Sequence, residues 1–150
     1  MNYQQEVLSG KNPVELVVAL YDGMVRFLNQ AITAIEGGDV SARRIAIKRV
    51  LDILMHLQSR LRMDVGGGSA QSLAEFYAAL FADCLEGSRL ASVPRLQGAI
   101  ANIRNVREAW SLVARDPEVM RMLDQQSTLP AVSRSMAPSE QSAVSVRWSA

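Results

Sequence analysis

Four runs of apolar residues recur along this chain at alternating spacings of three and four, and each run stops at a short cluster of helix-breaking residues. An α-helix turns once every 3.6 residues, so this spacing places each run on one helical face. The first run is Val17, Leu20, Tyr21, Met24, Leu28, Ala31 and Ile35, stopped by Gly37-Gly38. The second, behind a possible cap at Asp39, is Ile47, Val50, Leu54, Leu57 and Leu61. The third starts at about Ala70 with Leu73, Tyr77, Leu80 and Cys84 and reaches Ala91. Ser92-Val93-Pro94 then restarts the chain into Leu96, Ala99, Ile103, Val106, Trp110 and Val113. No sustained period-2 alternation bounded by turns is present, so strands are not expected.

The spacing predicts helices over about 13–36, 40–63, 70–91 and 93–114, behind an N-terminal arm of residues 1–12. Asn12-Pro13-Val14-Glu15 is a helix start: an amide at the N-cap, proline at the first helical position and a glutamate three residues on. Gly66-Gly67-Gly68-Ser69 reads as an interhelical loop. Asp116-Pro117 opens a possible short fifth helix over 117–125. After Gln126 periodicity stops and Ser, Ala and Pro dominate, so 127–150 reads as a disordered tail behind a domain of residues 1–126. Helices of this length joined by short loops pack as antiparallel neighbours. The expected fold is all-α: an antiparallel up-down four-helix bundle.

Composition narrows the function classes. Aromatics are 5% of the chain, so the core must be aliphatic, which suits helix packing. The formal net charge is +1, too small for a nucleic-acid footprint. Arg43, Arg44, Lys48, Arg49, Arg60 and Arg62 make the second helix basic against Asp52 alone. No aromatics are interleaved there for base stacking, so a solvated face or an acidic-partner contact is favoured over RNA. No run of 18 apolar residues and no basic-then-apolar leader occurs, so neither membrane insertion nor secretion is expected. A lone cysteine, Cys84, fits the reducing cytoplasm.

Chemistry has little to work with. His56 is the single histidine and Ile53 stands three residues before it, so the Glu-x-x-His pairs of a bundle metal site are missing. Cys84 lies on a core stripe, where a buried thiol is inert. The glycine cluster lacks the pattern of a phosphate loop. No catalytic residue, metal or cofactor is expected, and the chain is read as a non-enzyme.

The first helix nevertheless carries more apolar residues than one face buries: Val14, Val18, Val25 and Ile32, with Leu16 and Phe27 beside them. The third has a similar surplus in Phe76, Phe81 and Leu85. Two explanations stay open. The extra residues pack against the arm, the fifth segment or a second copy of the chain, or they form a groove for an apolar helix from another protein.

Tyr3, Leu8, Asn12-Pro13-Val14-Glu15-Leu16 and Leu20-Tyr21-Asp22-Gly23, in that order, resemble the opening of the flagellin-specific export chaperones, the FliS family. The resemblance runs over residues 3–114, through Ala34–Asp39, the glycines 66–68, Leu73 with Phe76-Tyr77, and Arg107-Glu108-Ala109-Trp110. Gly10, Asn12 and Ser72 depart from the usual Thr, Ser and Asn of that family. The resemblance implies a cytoplasmic chaperone of bacterial flagellum biogenesis and type III protein export. Its client would be the C-terminal segment of flagellin, masked against premature polymerisation and delivered to a component of the flagellar export gate. Tyr3 and Leu8 would cover part of the binding groove until the client displaces them. Val14, Val18, Tyr21 and Val25 would line it, with Phe76 and Leu85 as further candidates. A homodimer without client, or an obligate helical dimer acting as a structural or adaptor protein, is the alternative.

Overall fold

The structure is a computed structural model and describes residues 13–61 and 63–116. The described residues form four α-helices: α1 (Pro13–Glu36), α2 (Val40–Ser59), α3 (Met63–Arg89) and α4 (Val93–Ala114). The helix pairs in close contact are α1–α2, α2–α3, α3–α4 and α1–α4. That ring of neighbours makes an antiparallel bundle in which α1 and α3 face each other across the core, as do α2 and α4. The arm, Asn12, the fifth segment and the tail lie outside the described residues.

Two of the corners are built alike. At the end of α1, Gly38 adopts φ +70°. Its amide donates to the Ile35 carbonyl at 3.1 Å, and the Asp39 amide donates to Ala34 at 2.8 Å. This is a Schellman closure, which satisfies carbonyls that the helix end leaves open. Asp39 then caps α2, accepting from the Ala42 amide at 3.0 Å. At the end of α3, Ala91 takes the left-handed position, with φ 51°. Its amide donates to Ser88 at 3.1 Å, and the Ser92 amide donates to Gly87 at 2.9 Å. Ser92 caps α4, accepting from the Arg95 amide at 3.2 Å. An alanine pays for its Cβ in the left-handed region by about 1–2 kcal/mol. Ala91→Gly is therefore expected to raise stability by about 1 kcal/mol in urea unfolding, after the extra unfolded-state entropy of glycine is counted. No gain would mean that this corner is not closed in this way.

The α2–α3 connection differs from the sequence expectation. α2 ends at Ser59, and α3 begins at Met63 and runs through Gly66-Gly67-Gly68. Glycine in a helix costs about 1 kcal/mol relative to alanine, but it removes no backbone donor or acceptor, so the hydrogen-bond ladder continues through it.

The core is aliphatic, with two tyrosines. Leu20, Tyr21, Met24 and Leu28 of α1 meet Val50 and Leu54 of α2, Tyr77, Leu80 and Cys84 of α3, and Leu96 and Ile103 of α4. Each of these is 2% exposed or less. Tyr21 and Tyr77 join the diagonal helices α1 and α3 through hydroxyls 2.8 Å apart. Their rings meet edge to face at 6.2 Å, and Trp110 of α4 donates its indole N–H to the Tyr21 hydroxyl at 3.2 Å. Three helices are thus tied at one polar point inside an apolar core.

Candidate protein-binding surface

α1 buries more than a single stripe because it touches two neighbours and faces α3. Its buried positions include Val14, Leu16, Leu20, Tyr21, Met24, Leu28, Ala31, Ile32 and Ala34. At 100° per residue these cover roughly 180° of the helix, against roughly 100° for an ordinary surface helix. Most of the apolar surplus is therefore core. Phe27 is half-buried and packs against the core at the α1–α2 seam. What remains at the edge of the buried arc is Val18 and Val25, both half-buried.

Val18 belongs to a shallow groove along the α1–α4 seam, with Glu15, Ala19, Asp22, Arg107 and Ser111. Asp22 and Arg107 bridge this seam through Nε–Oδ1 at 2.6 Å and Nη2–Oδ2 at 3.2 Å. Arg107 also donates to the Ser111 hydroxyl at 3.2 Å. The bidentate geometry fixes the two helices in register, although partial exposure limits what the ion pair contributes. Val25 lies further along α1, in a second shallow depression with Asp22, Arg26 and Asn29.

Of the eight residues proposed from sequence, the six that are described do not form one groove. Tyr3 and Leu8 lie outside the described residues. Val14 is 2% exposed and Tyr21 0% exposed, and Tyr21 lies within the core cluster. Phe76 is half-buried, its ring 5.7 Å from that of Tyr77. Leu85 is 46% exposed. Both sit on α3, diagonal to α1, so the bundle itself separates them from Val18 and Val25. Around Leu85 the outer face of α3 carries exposed Ala78, Ala79 and Ala82 between Glu75 and Glu86. This gives α3 an apolar face that no other helix among the described residues covers.

Ile45 and Met55, which spacing does not single out, are 55% and 59% exposed on α2. Both fall off the Ile47–Val50–Leu54–Leu57 stripe, and that displacement was the available signal.

The chain's one thiol and one imidazole are both shifted by their surroundings. Burial, with Asp83 nearby, pushes the Cys84 thiol up to about 12, so it stays protonated at neutral pH. Burial and the charge of Arg60 push the His56 imidazole below its ordinary value, so it is neutral at pH 7. Among the described residues no three His, Cys, Asp or Glu side chains group as metal ligands. No helix among them is long and apolar enough to cross a membrane.

Comparison with known proteins identifies the family. The family model described as "Flagellar protein FliS" matches residues 1–117, which include all four helices. The flagellar secretion chaperone FliS of Vibrio cholerae is 26% identical over 106 residues, covering 71% of this chain and 78% of that protein. The flagellar secretion chaperone FliS of Campylobacter jejuni is 27% identical over 121 residues, covering 78% of this chain and 91% of that protein. That of Salmonella typhimurium is 24% identical over 111 residues, covering 73% and 82%. A match over more than half of the chain, spanning every helix of the bundle, places this protein in the FliS family of flagellar secretion chaperones.

Proposed function

We propose that this chaperone binds the C-terminal segment of flagellin in the cytoplasm, keeps it from polymerising early and hands it to the flagellar type III export gate. The observation that carries the reading is the family match over residues 1–117. The geometry supports it in a particular form. Apolar side chains that stay partly or largely exposed include Val18 and Val25 on α1 and Phe76 and Leu85 on the diagonal helix α3, with Ile45 and Met55 on α2 between them. A client reaching both diagonal helices must wrap around the bundle, as an extended or segmented chain can and a compact domain cannot. A segment that orders on binding gives up about 2–5 kcal/mol. Burying about 200 Å² of apolar surface offsets the upper figure at roughly 25 cal/mol/Å². No bond is made or broken in this cycle, so the role needs no catalytic residue.

Titration calorimetry with intact flagellin and with flagellin lacking its C-terminal segment tests the reading. A one-to-one complex with the intact protein, lost on truncation, is expected. Equal binding of both forms would overturn it. A tight homodimer by light scattering that ignores flagellin at micromolar concentration would instead favour the structural dimer.

A further inference from the structure

The two halves of α4 are held to the bundle in different ways. As far as Ile103 the helix is anchored by buried apolar side chains: Leu96, Ala99, Ile100 and Ile103. Beyond Ile103 none of its described side chains is fully buried. Val106, Trp110 and Val113 are half-buried, and Leu112 is 55% exposed. At that end of the bundle α3 runs through Gly66-Gly67-Gly68, and glycine offers no side chain to a neighbouring helix. The firmest ties left to this half of α4 are polar and cross the α1–α4 seam. Arg107 and Asp22 keep 35% and 49% of their side-chain surface in water, so their ion pair is weak and screened by salt. Trp110 donates to the Tyr21 hydroxyl at 3.2 Å.

The closed arrangement also leaves a proton over. The Trp110 N–H and the hydroxyls of Tyr21 and Tyr77 are three donors, and two bonds join them. Whichever tyrosine donates to the other, one hydroxyl proton has no acceptor among the described residues. A buried donor without an acceptor opposes the packing that buries it, and water satisfies it once that packing opens. We propose that residues 104–114 form a latch: they leave α1 as a unit, with α4 still anchored up to Ile103, and do so far more often than the bundle unfolds. Opening breaks the Asp22–Arg107 and Trp110–Tyr21 bonds and admits water to the tyrosine pair. The released stretch is poor in strong helix formers, with Asn105, Val106, Trp110, Ser111 and Val113. It is also shorter than the about 12–15 residues that an isolated helix needs, so its amides lose protection when it leaves. The Tyr21 edge of the core is thus a conditional surface, shut while α4 is docked. The latch belongs to the bundle alone and does not depend on which client the bundle holds.

Native-state hydrogen exchange of the full chain, read amide by amide by NMR, tests the latch. The amides of residues 106–112 are expected to share one protection factor, about tenfold or more below that of the slowest α1 amides. Raising sodium chloride from about 20 mM to about 500 mM should lower that shared factor about two- to fivefold, and so should Arg107→Met. Ile47→Val separates local opening from global unfolding. Ile47 is 4% exposed near the start of α2, at the other end of the bundle, and stays packed when the latch opens. The variant should therefore speed the slowest core amides about two- to tenfold and leave residues 106–112 unchanged. Equal acceleration of both sets would mean that these amides exchange only by global unfolding, and would overturn the proposal. So would protection that declines step by step from Ile103 to the helix end, which is ordinary fraying, or exchange of residues 106–112 that neither salt nor Arg107→Met alters.

Discussion

Tyr21→Asp is expected to unfold this protein rather than to strip it of client binding alone. Tyr21 is 0% exposed, and its hydroxyl is the joint of a hydrogen-bonded set drawn from three helices. A carboxylate at this point would be taken out of water with no cation nearby, at a cost of several kcal/mol. It would also leave the volume of a phenol ring partly empty, and large-to-small core changes cost about 3–5 kcal/mol on their own. Together these approach the whole stability of a small domain, about 5–15 kcal/mol. Circular dichroism should show the loss of helix. Retained fold with lost flagellin binding would place Tyr21 in the client surface after all. A milder pair of variants isolates the hydrogen bonds. Tyr21→Phe leaves both the Trp110 N–H and the Tyr77 hydroxyl without their shared partner, and a buried unsatisfied group costs about 1–3 kcal/mol. Tyr77→Phe leaves the Trp110–Tyr21 bond intact, so it should cost about 1 kcal/mol or less. Burial raises the pKa of both tyrosines, so neither ionises at ordinary pH, and the difference should persist across neutral pH.

Tyr21 also shows what could be read from the sequence and what could not. Periodicity gives the direction of a side chain around its helix, and by that measure Tyr21 is apolar-facing, as predicted. It does not give depth. Whether an apolar face becomes core or groove depends on how many helices surround it. α1 has two neighbours and a diagonal partner, so Leu16 and Ile32, which widen its apolar band beyond one stripe, are inside. The corners at Gly38 and Ser92 were legible because caps and left-handed residues are local chemistry, fixed within a few positions. The glycine run 66–68 misled for the converse reason. Its local preference for a loop is about 1 kcal/mol per residue, and a 27-residue helix continues through it. The guanidiniums of Arg26 and Arg49 lie 5.2 and 5.6 Å from the centre of the Phe27 ring, a grouping that spacing along one helix does not reveal because the cations come from two.

The same substitution, glycine to alanine, is expected to change stability in opposite directions at two sites in this bundle. Gly98 lies inside α4, exposed, and a Cβ built there meets nothing within 4 Å. Gly98→Ala should therefore stabilise by about 1 kcal/mol, the difference in helix propensity. Gly87 lies near the end of α3, buried, where the chain turns into α4. A Cβ there would sit 2.6 Å from Cδ2 and 3.2 Å from Cγ of Leu96. Leu96 is itself 0% exposed and packed within the core cluster, so it moves only at the expense of its neighbours. The Gly87 carbonyl is also held by the Ser92 amide at 2.9 Å, so the backbone cannot retreat without opening the Schellman closure. Overpacking of this kind costs about 1–3 kcal/mol, which exceeds the propensity gain. Gly87→Ala should be destabilising in urea unfolding, and Gly87→Val more so. Truncating the obstructing side chain separates a clash from a general intolerance. Leu96→Ala alone should cost about 2–5 kcal/mol for the cavity it leaves. Combined with Gly87→Ala it should cost less than the sum of the two single changes, by about 1 kcal/mol or more, because the added methyl occupies part of that cavity. Strict additivity, or a gain in stability from Gly87→Ala alone, would show that α3 and α4 do not approach so closely at this corner.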